Sequence, residues 1–279
     1  MSYASILVHV EANSPSSDAR LALSSELARR FGAALIGVAA ESVRPPMVDA
    51  FGGAVLIGDV LVAEEEQIRA RLEAAEKTFG THSGVEGLTT EWRSAVDLPA
   101  SVVAQEARAA DLIVLGRDLE RLRAGVYQAP DPGEVVMAAG RPVLVVPPDV
   151  SRLSARHVLI AWRDVREARR AVVDALPFLA KAEGAHLVEV AEEADRDVAS
   201  ARVSDVVGYL ERHQVRAEGE VRVRREATTA DEVILAAEQS GADLIVAGAY
   251  GHARMREWVF GGVTRDLLHR CPMCCLLSH

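Results

Sequence analysis

The chain has 279 residues, 49% of them hydrophobic but only 4% aromatic, and a formal net charge of −10. That length suits about two ordinary domains, and the apolar fraction excludes a disordered chain. An acidic balance of this size argues against general nucleic-acid binding and leaves solubility as its plainest use.

With so few aromatics, the core must be built from Ala, Val, Leu and Ile, which suits parallel strands covered by helices. The chain opens on an apolar run, Ser5 to Val10, that reads as a strand and not as a secretory signal. Ser14-Pro15 then signals a helix, with Ser14 as cap and Pro15 in the first turn. Leu23, Leu27 and Phe31 share one face and Gly32 stops the helix. A strand pattern follows from Ala34 to Ala40. Arg44 to Val62 is an extra segment, expected to be a packed surface insertion, with a lid or domain-interface role as the alternative. Its apolar window, Met47 to Ala63, is interrupted by Asp49, Asp59 and three glycines and falls short of the roughly 20 residues a bilayer span needs. No membrane association is therefore expected.

The first half continues with a helix (Glu64 to Phe79), a strand (Thr89 to Arg93), a helix (Pro99 to Ala110), a strand (Asp111 to Gly116) and a closing strand led by Pro142. Then the chain begins again. His157 to Trp162 matches the opening strand. Asp164 and Glu167 have the spacing of a capping box. Ala168, Ala171, Val172, Ala175 and Leu179 form an apolar helical face, with Pro177 expected to kink it and Gly184 to stop it. A strand (His186 to Ala191), a helix (Ala199 to His213), a strand (Glu220 to Arg224) and a helix (Ala230 to Ser240) follow in the same order. Asp243-Leu244-Ile245-Val246-Ala247-Gly248 repeats Asp111-Leu112-Ile113-Val114-Leu115-Gly116. A last Pro-led strand runs from Pro272 to Leu277. Alternating strands and helices imply parallel βαβ units and a doubly wound sheet in each half. The boundary is placed at Pro147-Pro148-Asp149, giving domains 1–148 and 149–279.

In such a sheet, ligands bind beyond the carboxyl ends of the strands. The second half carries Gly248-Ala249-Tyr250-Gly251 there, then nine residues, then Gly261-Gly262-Val263-Thr264 and a helical run. Phosphate binding needs converging backbone N–H groups. Glycine lets the backbone approach, and a helix start adds free donors and partial positive charge. His252, Arg254, Arg256 and Arg265 add cationic side chains.

The pattern Gly-x-x-Gly, nine residues, Gly-(Ser/Thr) is the nucleotide loop of universal stress proteins, and Gly248, Gly251 and Gly261 match its spacing. The whole chain, about residues 5 to 279, resembles two such domains in tandem (the UspA family). The resemblance implies the adenine nucleotide alpha hydrolase-like fold, strand order 3-2-1-4-5 in each five-stranded domain, and an intramolecular pseudo-dimer with the fifth strands near the shared axis. It also implies ATP or another adenine nucleotide, with or without Mg²⁺, held by Gly248, Gly251, His252, Gly261, Gly262, Val263 and Thr264, with Ala161, Trp162 and Val190 on the adenine side. Two departures stand out. Gly262 replaces the family's Ser or Thr, and Arg163 stands near the family's ribose-binding Asp, where a guanidinium cannot accept hydroxyl hydrogens. The first half departs further. Gly116 is followed by Arg117-Asp118-Leu119-Glu120, and Pro132-Gly133-Glu134 puts a carboxylate in the hydroxyl position. Glu11 does resemble the family acid, but no nucleotide is expected in this half.

Other residue types are better explained by packing. Cys271 and Cys274 have redox-motif spacing, but residues three apart in a strand face opposite ways, so all three cysteines are expected in the core. An odd, clustered set does not suit a secreted disulfide framework, and a cytoplasmic location is expected. His9, His157 and His186 are read as structural and His279 as solvated, while His252 is open between phosphate contact and exposure. Glu64 to Glu66 read as a solvated helix start, and Arg222, Arg224 and Arg225 as a strand face. The expected function is a non-catalytic sensor or accessory protein of the stress-response type. The alternatives are a scaffold that binds no nucleotide and a slow nucleotide hydrolase. The hydrolase would need a metal-binding acid near the loop, for which Asp164 is the nearest candidate. Monomer and homodimer both remain open, and a protein partner is not indicated.

Overall fold

The computed structural model describes residues 2–44, 57–83, 87–117, 125–224, 228–251 and 262–279. The first half contains β1 (Ser5–His9), α1 (Pro15–Phe31), β2 (Ala34–Glu41), α2 (Ile57–Ser83), β3 (Thr90–Val96), α3 (Pro99–Glu106), β4 (Leu112–Gly116), α4 (Pro132–Ala139) and β5 (Val143–Val146). The second half repeats the order with β6 (His157–Trp162), α5 (Arg166–Leu179), β7 (Gly184–Ala191), α6 (Arg196–Arg212), β8 (Ala217–Val223), α7 (Thr229–Ser240), β9 (Leu244–Gly248), α8 (Gly262–Arg270) and β10 (Cys274–Ser278).

All ten strands form one sheet in the order β3-β2-β1-β4-β5-β10-β9-β6-β7-β8. Each half is thus 3-2-1-4-5, and the halves meet at their fifth strands. Neighbours are parallel except at that seam, where β5 and β10 run antiparallel with Leu276 opposite Leu144. Antiparallel pairing here places the halves about a pseudo-twofold axis.

Strand residues alternate between two helix layers, as the period of two requires. Ile6, Val8, Leu112, Val114, Val158, Ile160, Cys274 and Leu276 face the layer containing α1, α2, α5 and α6. Leu7, Ile113, Leu115, Leu159, Ile245, Cys275 and Leu277 face the layer containing α3, α4, α7 and α8. Each layer runs through both halves. The first is closed across the seam by aromatic rings: Phe31 and Phe178 meet edge to face at 5.2 Å, and Tyr3 meets Phe178 at 5.6 Å. The Tyr3 hydroxyl donates to the Asp174 carbonyl at 2.5 Å.

The repeated Asp of the phrase Asp-Leu-Ile-Val has the same task in both halves. Asp111 Oδ2 accepts from the amides of Ala4 and Ser5, and Asp243 Oδ2 accepts from those of Ser154 and Ala155. Each carboxylate pins the chain where it enters its first strand.

Local signals met different fates. Ser14 caps α1 by accepting from the Ser17 amide, and Gly32 ends the helix at φ 67°. Asp164 does not cap α5. The helix starts at Arg166 after Val165, and the Asp164 carboxylate is drawn instead to Arg169 at 2.5 Å. Pro177 lies in the last turn of α5, which ends at Leu179, so Gly184 is not its stop but the first residue of β7. There, the amides of Glu183 and Gly184 both turn back to the Arg156 carbonyl. α2 starts at Ile57, so Glu64 to Glu66 lie inside it, with Glu65 paired to Arg69. Residues 45–56 of the insertion, and Arg225 of the basic cluster, lie outside the described residues.

All three cysteines are buried, and Cys274 faces the opposite layer from Cys271 and Cys275. The three strand-associated histidines do have acidic neighbours: Glu11 beside His9, Glu183 beside His157 and Glu220 beside His186.

Candidate functional site

The carboxyl edge of the second half brings together the end of β6, the end of β7, the segment after β9 and the start of α8. Ala161, Val190, Tyr250 and Val263 are partly buried against the same helix layer. Trp162 is not with them. It is buried in the opposite layer, because successive strand residues alternate, so its indole does not share a surface with Ala161 and Val190. His252 and Gly261 lie outside the described residues.

The glycines differ in what surrounds them. A β-carbon on Gly248 would stand 2.6 Å from the Glu167 carbonyl carbon, so this glycine admits the start of α5. Gly251 is exposed, and Gly262 has open space where its β-carbon would be. Thr264 is buried, and its hydroxyl accepts from the Tyr250 amide at 3.4 Å. That bond ties the segment after β9 to the first turn of α8.

Sequence reasoning missed Glu167. It is 2% exposed, its Oε1 accepts from Arg166 Nε at 2.7 Å, and its Oε2 is 3.6 Å from the β-position of Gly251. Glu167 thus puts a buried carboxylate beside Gly251, whereas Asp164 is exposed and paired with Arg169. The sequence showed only the capping-box spacing of Glu167 from Asp164, and the close approach of α5 to β9 reveals its burial. His279 is half-buried rather than solvated. Its Nδ1 is 3.0 Å from the Ala249 carbonyl, which fixes a proton on Nδ1, and Arg166 Nη2 lies 3.4 Å from Nε2. Arg163 is exposed at the end of β6.

The equivalent edge of the first half is filled. The Arg20 guanidinium lies against Gly116, so closely that any β-carbon there would collide with it. Arg20 Nε donates to the His9 carbonyl at 2.9 Å, and Glu11 Oε1 sits 3.3 Å from His9 Nδ1 and 3.6 Å from Arg20 Nη2. A cavity there, lined by His9, Glu11, Glu41, Arg71 and Gln128 among others, has only about 10 Å³ of room, roughly what a single water needs. At the start of α4, Asp131 Oδ1 accepts from the Glu134 amide at 2.9 Å. Burial, then the Asp131 charge, pushes the Glu134 carboxyl up. A helix start already carrying two carboxyl groups is a poor seat for phosphate.

Two tyrosines, Tyr250 at this edge and Tyr3 ahead of β1, set an alkaline limit. Burial, then Asp131, pushes the Tyr250 phenol from 10.0 up to about 12. Burial, then Asp174 and Asp111, pushes Tyr3 up as well. The unfolded chain ionises near pH 10 while the folded chain keeps these protons, so their contribution is whole below pH 10 and is lost above it. Urea midpoints should fall between pH 10 and 12, and Tyr250→Phe should shallow that fall.

Residues 154–279, the half with the glycine loop, match the universal stress protein family. This half of the chain belongs to that family. The chain as a whole has the fold of universal stress proteins joined in tandem. It superimposes on a universal stress protein from Archaeoglobus fulgidus DSM 4304 with a TM-score of 0.71 at 15% identity, covering 98% of this chain and 95% of that one. A universal stress protein, so described as putative, from Pseudomonas aeruginosa UCBPP-PA14 gives 0.60 at 14% identity, covering 99% and 93%. A functionally unknown protein from Pseudomonas aeruginosa PAO1 gives 0.60 at 13% identity, covering 99% and 92%. No curated protein matches the chain. Among the described residues, no helix is long and apolar enough to cross a membrane.

Proposed function

We propose that the second half binds an adenine nucleotide, ATP or a close relative, and that the protein is a non-catalytic sensor or accessory factor in a stress response. The observation that supports this most directly is the open start of α8. Gly262 is exposed with clear space beside it, at a helix N-terminus where free amides face outward. Ala161 and Val190 offer partly buried apolar surface on the same side of the sheet. In this reading Gly251, Gly262, Val263 and Thr264 surround the phosphates, joined by His252 and Gly261. Mg²⁺ would accompany the nucleotide, and Glu167, beside Gly251, is a carboxylate at this edge. The first half binds none, because Arg20, Asp131 and Glu134 fill the equivalent edge.

A scaffold that binds no nucleotide is the second reading. The Glu167 carboxylate beside Gly251 and the missing hydroxyl at residue 262 favour it. Calorimetric titration of ATP with Mg²⁺ into the full chain separates the two. About one site per chain is expected. Gly262→Glu should abolish binding without lowering the melting temperature, because a β-carbon there meets nothing within 4 Å among the described residues. Gly262→Ser should tighten binding about tenfold, the equivalent of roughly 1.4 kcal/mol for a hydrogen bond to a charged group. No heat and no thermal shift at millimolar ATP would leave the scaffold in its place.

A further inference from the structure

Tyr250 stands between the first two glycines of the second half's loop, yet its side chain serves the first half. Its backbone is held at φ 53°, a conformation uncommon for a residue of this size. Its amide is fixed to the Thr264 hydroxyl at the start of α8. The ring then crosses the seam, and its hydroxyl lodges against Gly133 in the first turn of α4. A β-carbon on residue 133 would collide with that hydroxyl and would stand 3.0 Å from Asp131 Oδ1 and 3.4 Å from the phenol Cζ. Asp131 in turn caps α4 through the Glu134 amide. One side chain therefore connects the segment after β9, the start of α8 and the start of α4.

We infer that Tyr250 is a latch that couples the second half's glycine loop to helix α4 of the first half, so that a change at either end is felt at the other. The place it occupies in the first half is the helix start that corresponds to α8 in the second. The degenerate half thus receives a phenol from its neighbour where the other half has the exposed Gly262. A left-handed Tyr persists where surrounding structure over-determines it, and the lodged ring and the Thr264 bond supply that restraint. Coupling of this kind is reciprocal: what the loop does to α4, α4 must do to the loop. The part of the inference that concerns ligand signalling rests on the nucleotide reading above, whereas the mechanical part does not.

Hydrogen exchange on the full chain tests both. Gly133→Ala places a methyl group where the phenol hydroxyl sits. It should speed exchange of the amides of 249–251 and 262–270, on the other half of the molecule, by tenfold or more. Tyr250→Phe removes the atom in conflict, so the double variant should regain rates within about threefold of Tyr250→Phe alone. That rescue keeps the test decisive even where Gly133→Ala folds poorly. If Gly133→Ala leaves residues 249–251 and 262–270 unchanged, or if Tyr250→Phe does not rescue it, the latch is overturned. With ATP and Mg²⁺ added, amides of 133–139 should slow severalfold in the wild type and not in Tyr250→Ala. Calorimetric binding without that response would overturn the coupling and leave the nucleotide reading standing. Absence of calorimetric binding would remove the nucleotide reading and leave the Gly133→Ala comparison to decide the latch.

Discussion

Phe178→Ala is expected to cost about 3–5 kcal/mol of unfolding free energy, the range for deleting a buried ring. The ring is fully buried, and it is the second half's contribution to an aromatic contact with Tyr3 and Phe31 of the first. Edge-to-face pairs add about 0.5–1.5 kcal/mol each beyond area burial. Few residues can refill the gap, since aromatics are 4% of the chain and the nearby core is Ala and Leu. The loss should not be confined to one half. The same ring packs beside Tyr3, whose hydroxyl holds the Asp174 carbonyl on α5. Urea unfolding followed by far-ultraviolet circular dichroism measures the cost. Val173→Ala on the same helix is the control: Val173 is 43% exposed, and a change within about 0.5 kcal/mol is expected. A Phe178→Ala cost below about 1 kcal/mol would show that the halves do not depend on this contact.

The repeat was legible because strands and helices are coded locally. The phrase shared by Asp111 and Asp243 marked the same point in both halves, and its Asp proves to fasten the entry to strand one. Ser14, Pro15 and Gly32 state their positions within a single turn of helix. The strand order and the nearness of the fifth strands came from the family resemblance, since no local pattern specifies which edges meet, and the antiparallel pairing of β5 with β10 came from the structure. What could not be read depends on neighbours distant in sequence. Asp164 had the right spacing to cap, but Arg169 takes its carboxylate. Trp162 was one residue from Ala161, and one residue in a strand is the other face of the sheet. Nothing local to α1 marks Arg20 as buried, and only the packing of β4 brings Gly116 against it. The strand ends and glycines read from the sequence, with Ala161 and Val190 from the resemblance, do fall on one edge of the sheet. The roles of Glu167, His279 and Tyr250 needed the fold.

Gly248→Ala and Gly262→Ala should change stability in opposite directions, although both belong to one motif. A β-carbon on Gly248 would stand 2.6 Å from the Glu167 carbonyl carbon and 2.9 Å from Ala168 Cα. Those are backbone atoms at the start of α5, and they cannot swing aside as a side-chain tip can. Relief requires α5 to move off the sheet, at the expense of Ala168, Ala171 and Ala175, all buried beneath it. Overpacking of that kind costs about 1–3 kcal/mol. Gly262 meets nothing within 4 Å and begins α8, where Ala is favoured over Gly by up to about 1 kcal/mol. Urea midpoints for the two variants decide the matter without any ligand present. A destabilised Gly248→Ala beside a stabilised Gly262→Ala would assign the first glycine to helix packing and free the second for contact with phosphate. Equal midpoints would mean that α5 yields without cost, and Gly248 would then have to be explained by the ligand alone.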